Sequence, residues 1–487
     1  STSILGLLAV RPGETFPIRN PSISIRSQRA VAEAPLGQGL VRLGRGEITP
    51  IEIELRPRPK LTTNDRVVKT GDVAEFALSP DGEKIAYLVD GDVWLTAADG
   101  STNGLSLRVT ETPAREYHLA WSSDSDHLYY TTLRRGNLDL VRYDIGARRE
   151  GFLIATDADE SAISVAPKGD YLAFVRDDQD LILTDMNGSF ERRVDVPGVF
   201  TRQGIISGTD YDFSPDGRWL VVTPVLESDL KRQVFVVPVN GSAPARAISA
   251  SGHGAFGANW SADGGFITYT AFFGSSFDVW SIELAPEEPE FTEDRLDALF
   301  PRTDDEGEPA NNERQNNNNE NGASSNEDTA AESQTDEEAT STEDNALPIE
   351  FEGILARNQR VTTLPSSEWY LQRSPDGSTW LFLANLMNGT QLWSIPTDGG
   401  RLNQVTSVGG GLGFIQFDPD GRHLWFLNQG RIRQIPIRGG NVRTIPTRVE
   451  YDLDREAQRR AVYDEMGWVL GEYFYLPGPA GRDRWRT

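Results

Sequence analysis

The tetrapeptide Ser-Pro-Asp-Gly occurs three times in this chain, at 79–82, 214–217 and 374–377, and four degenerate copies keep step with it. These are Ser122-Ser-Asp-Ser125, Ala166-Pro-Lys-Gly169, Ser261-Ala-Asp-Gly264 and Asp418-Pro-Asp-Gly421. Successive copies lie 43 to 48 residues apart, apart from one step of 113 between 261 and 374. In such a turn Pro presets φ, Asp bonds its own backbone and Gly accepts the unusual φ, so each copy reverses the chain. A fixed period of this length marks a repeat architecture in which each unit buries its faces against its neighbours.

Each unit reads as four strands. An alternating segment precedes the turn, as in Tyr117–Trp121, and a β-branched and aromatic run follows it, as in Ile85–Val89 or Leu424–Leu427. A third strand such as Asp92–Leu95 or Gln391–Ile395 leads to a hairpin signal, Asp99-Gly100, Asn187-Gly188, Asn240-Gly241 or Asp398-Gly399. A fourth carries Thr and Val, as in Leu107–Thr110. Seven such units over residues 61–448 specify an all-β fold, a seven-bladed β-propeller of four-stranded blades. A β-sandwich would need seven turns to fall in phase by coincidence.

Three segments lie outside the repeat. Residues 1–60 contain a strand-like piece, Ile48–Leu55, and are expected to cap or close the ring or to be the remnant of a preceding propeller. Residues 303–346 carry fourteen acids against the single base Arg314, half of the formal charge of −26. That composition cannot bury enough apolar area to order itself, so a disordered acidic insert is expected there. Residues 449–487 read as a helical tail opening a missing domain. Asp452 or Asp454 would cap an amphipathic helix whose apolar face includes Ala457, Ala461, Val462, Met466, Val469, Leu470, Tyr473 and Phe474, with Pro477 as its stop. Its apolar stripe is expected to dock on that missing domain, and in this chain the helix is expected to lie loosely on the propeller flank or to promote self-association.

With the acidic insert set aside, the charge is that of an ordinary acidic globule, and no basic surface points to nucleic acid. No apolar run approaches the ~18 residues of a membrane helix, so a soluble protein with no membrane span is expected, cytoplasmic or periplasmic. The absence of Cys excludes disulfides, thiolate nucleophiles and Cys-based zinc sites together. There is no Gly-x-Ser-x-Gly elbow, no His-Glu-x-x-His and no phosphate loop, and His118, His127, His253 and His423 fall in different units. No catalytic residue, metal site or cofactor is therefore assigned. Binding is different, because propellers bind at the axial mouth. The apolar face of each first strand is given by pairs such as Phe76/Leu78 and Tyr211/Phe213. The alternate polar positions are Glu75, His118, Asp210, Asp212, Asn259, Gln372 and Gln416, and these are the candidate channel residues.

The order of these parts resembles the tricorn-type proteases of the S41 (tail-specific) serine peptidases, with blades of the PD40 or WD40-like kind. The resemblance rests on a seven-unit propeller followed by Val449-Glu450-Tyr451-Asp452, then the run 457–468, then Tyr473-Phe474-Tyr475. Phe474, Tyr475, Pro477, Gly481, Asp483 and Trp485 match a motif of that family, whereas Leu476 and Ala480 stand where Asp and His are usual. The resemblance implies a non-catalytic propeller segment that filters or channels peptides to a protease core. It further implies PDZ and protease domains as missing partners and a peptide or protein partner, while a homo-oligomer is expected from the apolar helix. The repeat itself also fits a free-standing TolB-like or WD40-like scaffold and the propeller of a prolyl-oligopeptidase-type enzyme.

Overall fold

The computed structural model describes residues 65–200, 210–226, 228, 231–249, 254–285, 349–386, 389–408 and 411–473, together with four strands among residues 16–55. The acidic segment 303–346, His253 and the residues after Tyr473 lie outside the described residues. The chain divides into two compact units, Ser1–Asp65 and Arg66–Thr487. The first contains Phe16–Pro17, Ile23–Ser27, Gln38–Leu43 and Glu47–Leu55 in one antiparallel sheet of order first, second, fourth, third.

In the second unit the chain forms seven four-stranded antiparallel sheets, each with its strands in sequential order. Blades 1 to 7 span residues 75–108, 116–154, 160–193, 211–247, 255–360, 368–404 and 412–444. The expected seven-bladed propeller is what the chain builds, and the phase of the repeat is the phase of the blades. The long step falls inside blade 5, between its third strand Ser276–Glu283 and its fourth strand Asn358–Arg360.

The tetrapeptides act as designed turns between the first and second strands. In blade 1 the Ser79 hydroxyl donates to Asp81 (2.5 Å) and accepts the Lys84 N–H (2.9 Å), while Gly82 sits at φ 73°. The same bonds recur at Ser214/Asp216, Ser261/Asp263 and Ser374/Asp376. In blade 7 the Asp418 carboxylate replaces the serine, accepting the His423 N–H at 2.9 Å.

Hydrophobic packing is organised by seam. The buried apolar residues fall into seven clusters, one between each pair of adjacent blades. The seam between blades 7 and 1 joins Trp425 and Ile432 to Ile85, Tyr87 and Trp94, and it recruits two residues from beyond blade 7, Val449 and Tyr451. These belong to a closing strand, Arg448–Leu453, which pairs with Asp65–Thr70 in a two-stranded sheet. Tyr451 stacks near Trp94, with ring centroids 5.9 Å apart, and its hydroxyl donates to Asp90. Lys69 pairs with the same carboxylate at 2.6 Å. Val449 and Tyr451 of this strand are thereby part of the closing seam.

The helix α1, Arg455–Tyr473, follows directly, capped by Asp454, whose carboxylate accepts the N–H groups of Glu456 and Ala457 at 2.9 and 3.0 Å. Its face toward the propeller includes Ala457, Ala461, Glu465 and Trp468, all half-buried. Glu465 accepts hydrogen bonds from the Tyr117 hydroxyl (2.8 Å) and Arg115 (3.3 Å), and the Trp468 indole N–H donates to Asp159 (3.0 Å). Val462, Tyr463, Met466 and Val469 face water, Tyr463 at 73% exposure. The physical reason is the surface beneath: the loops of blades 1 to 3 present Arg115, Tyr117 and Asp159, which a polar helix face satisfies and an apolar one would leave unpaired. Among the described residues no helix is long and apolar enough to cross a membrane.

Tyr451→Ala is expected to destabilise the propeller by about 3 kcal/mol, in line with truncation of a buried aromatic side chain. Truncation after Thr447 is expected to lower the thermal midpoint clearly more than truncation after Leu453, as read by calorimetry. Equal midpoints for the two truncations would show that the closing strand contributes nothing.

Candidate functional site

The innermost strand of every blade faces the propeller axis, so its alternation sorts side chains between seam and channel. Counting back from the first residue of each turn, positions one and three enter the seams, as Phe76, Trp121, Tyr211 and Phe213 do. Positions two and four form the wall. Around the ring, position two holds Ala77, Ala120, Ser164, Asp212, Asn259, Gln372 and Gln416, and all seven are half-buried. Position four holds Glu75, His118, Ala162, Asp210, Gly257, Tyr370 and Phe414.

Five of the position-four residues share an unusual backbone. His118, Ala162, Gly257, Tyr370 and Phe414 have φ between 50 and 61°, and each sits in a bulge where the pairing of the first two strands slips. A bulge adds a residue to one strand and turns its amide groups out of the ladder. In blade 2 those amides find an acceptor in the preceding blade: Glu75 takes the N–H of His118 (3.2 Å) and of Leu119 (2.6 Å).

The seven candidate residues named from sequence sort by what their side chains already do. Glu75 staples blade 1 to blade 2. Asp212 accepts the Trp260 N–H at 3.0 Å and joins blade 4 to blade 5. Gln416 accepts the Leu78 N–H at 3.3 Å across the closing seam. Asp210 is buried against Arg232 at 2.5 Å. The His118 ring Nδ1 lies 3.0 Å from the Thr131 hydroxyl, and the Asn259 amide donates to Gly257 O at 2.7 Å. Gln372 is half-buried on the same ring, between Tyr370 and the turn of blade 6. Burial pushes the Glu75 carboxyl up to about 7 and that of Asp212 to about 6, against the pull of the N–H groups they accept.

Sequence reasoning selected polar residues and so passed over the rest of the wall. Tyr370 is part of it. Its hydroxyl donates to Ile415 O of blade 7, and burial raises its pKa. The small side chains Ala77, Ala120 and Ser164 leave blades 1 to 3 open where blades 4 to 7 carry longer groups. The signal for all of these was their register before the turn, not their residue type.

Among the described residues, Asp418, Asp420 and His423 are the acids and histidine close enough to share a cation. They belong to the turn of blade 7, where Asp418 already takes two backbone N–H groups and the His423 ring at 2.8 Å.

No protein-family model matches the chain, and no curated protein matches it. Solved structures do. The tricorn protease aligns with a TM-score of 0.60 at 15% identity, covering 90% of this chain, while this chain spans 40% of that one. A putative TolB from Agrobacterium tumefaciens aligns at 17% identity and TM-score 0.39, over 64% of this chain and 88% of that one. A prolyl endopeptidase aligns at 11% identity and TM-score 0.41, over 68% and 42%. At these identities the likeness is one of fold.

Glu75→Ala leaves two N–H groups in the channel wall without acceptors and is expected to cost about 2 kcal/mol of stability. Gln372→Ala is expected to stay within about 0.5 kcal/mol, the range of substitutions remote from any network. Denaturant unfolding of both variants distinguishes a stapled wall from a merely decorated one.

Proposed function

We propose that this chain is a non-catalytic propeller segment of a tricorn-like serine peptidase, and that its axial channel takes up extended peptide. The wall supplies the main support. Its fourteen positions include Glu75, Asp210 and Asp212 and no Lys or Arg. Asn259, Gln372 and Gln416 form a run of carboxamides over consecutive blades, each able to donate and to accept, as a peptide backbone requires. Asp210 is neutralised by Arg232, so the wall's excess charge is that of Asp212 and, above about pH 7, of Glu75, which favours neutral and basic peptides over acidic ones. The likeness to the tricorn protease supplies the peptidase setting, and the 40% of that chain which this one spans is consistent with a segment of a longer enzyme.

Two measurements test the reading. Labelled extended peptides of equal length should bind with the basic member at least about tenfold tighter than the acidic one, a difference of ~1.4 kcal/mol. Asn259→Arg and Gln372→Arg should each weaken the basic peptide and leave thermal stability nearly unchanged. Peptides that bind equally to both variants and the parent would remove the channel from the proposal. The purified chain should also show no peptide hydrolysis; turnover that survives repurification and stops with a serine-directed inhibitor would overturn the non-catalytic assignment.

A further inference from the structure

Three of the seven seams contain a buried pair of acids in corresponding places. One is an aspartate at or near the start of a blade's third strand, and the other is a glutamate opening the innermost strand of the next blade. The pairs are Asp92 with Glu116, Asp139 with Glu160, and Asp278 with Glu368. All six residues are at most 5% exposed. At the position of the glutamates the other two bulged blades that can be compared, 5 and 7, carry Ala255 and Leu412, so a propeller seam does not itself require an acid there.

The groups around the pairs do not neutralise them fully. At the seam of blades 1 and 2, Asp92 pairs with Arg108 (2.8 Å), near Asp90. Glu116 accepts from Thr110, Thr112 and Thr132 and shares Arg134 (3.2 Å) with Glu150, itself bonded by Tyr130. The Thr110 hydroxyl lies 3.3 Å from Asp92 and 3.1 Å from Glu116, bridging the two. At the seam of blades 2 and 3, Glu160 accepts from Thr156 (2.7 Å) and shares Arg176 with Glu191. Asp139 has Asn137 and, at 3.6 Å, Arg135, while the neighbouring Asp159 accepts from Leu138 N–H and Trp468. At the seam of blades 5 and 6, Asp278 has Ser276 and Arg360, and Glu368 has Thr362 alone.

Oxygens without donors remain: Oδ2 of Asp139, Oε2 of Glu160 and Oε1 of Glu368 are buried and unbonded. An ionised oxygen with no donor is the arrangement a dry seam tolerates least, whereas a protonated carboxyl brings its own O–H.

We propose that each of these three seams holds a proton on its pair of acids at neutral pH, which makes the packing of these seams proton-dependent. Burial, reinforced by the paired aspartate, places Glu116, Glu160 and Glu368 each at about 7, above the ordinary 4.5. The sign follows from linkage. A folded-state pKa above the unfolded one means protons are taken up on folding. Their stabilisation is complete below about pH 4.5 and is lost as pH rises through about 7. The seam of blades 2 and 3 lies under α1, because Trp468 bonds the residue next to Glu160. Alkaline opening there should therefore release the helix.

The test compares the full chain with the variant Glu116→Gln, Glu160→Gln, Glu368→Gln, since Gln keeps the shape of a protonated Glu. Denaturant unfolding from pH 5.5 to 8.5 should show the parent losing stability relative to the variant. Its unfolding equilibrium constant should rise by up to about tenfold per pH unit for each proton released. In parallel, the infrared carbonyl band of protonated carboxyl groups should be present in the folded parent at pH 7 and weaker in the variant. If the triple variant does not fold, Glu368→Gln alone carries both readouts. Parallel pH profiles, or no protonated-carboxyl band in the parent at pH 7, would overturn the proposal.

Discussion

A blade in isolation has two apolar faces and no means of covering either, so every blade depends on the two beside it. The demand is met without difficulty at six seams, where chain continuity brings successive blades together. At the seventh it must be met by residues from opposite ends of the propeller, and that closing contact is the constraint the other six rely on. Trp425 and Ile432 reach Ile85 and Trp94 there, and the contact is completed by Val449 and Tyr451 from the closing strand. All four strands of blade 7 come from one continuous stretch, so the ring is closed by packing and by the small sheet of Asp65–Thr70 with Arg448–Leu453 rather than by a strand exchanged between blades.

Polar interactions play a different part. Around the axis the bulged inner strands release amide groups, and side chains of the preceding blade collect them, as Glu75 does for His118 and Leu119. The same side chains give the channel its charge. A wall group that staples two blades is held in one rotamer, which suits a surface that must present donors and acceptors at fixed positions. It also means that several of the residues best placed to meet a ligand are already committed to structure.

The helix α1 follows the same logic from outside. It meets a surface of loop carboxylates and an arginine, and it is the polar side, Glu465 and Trp468, that finds partners there. Val462, Tyr463, Met466 and Val469 are left on the solvent side. An amphipathic pattern identifies a helix, but which face docks depends on what lies beneath.

Much of this was written in the chain. Seven turns in phase determined seven blades, because Pro, Asp and Gly at one spacing permit only a reversal there, and the alternation before each turn placed Glu75, His118, Asp212, Asn259, Gln372 and Gln416 on one register. What lay beyond local pattern was every relation between units. That Val449 and Tyr451 are core, that Glu75 and Gln416 bond amides of the next blade, and that Asp139 and Glu160 are buried at one seam are relations across tens or hundreds of residues. No periodicity records them. The sequence determined the repeat because turn chemistry acts over four residues; the tertiary structure decided the seams because burial is settled only when neighbouring blades meet.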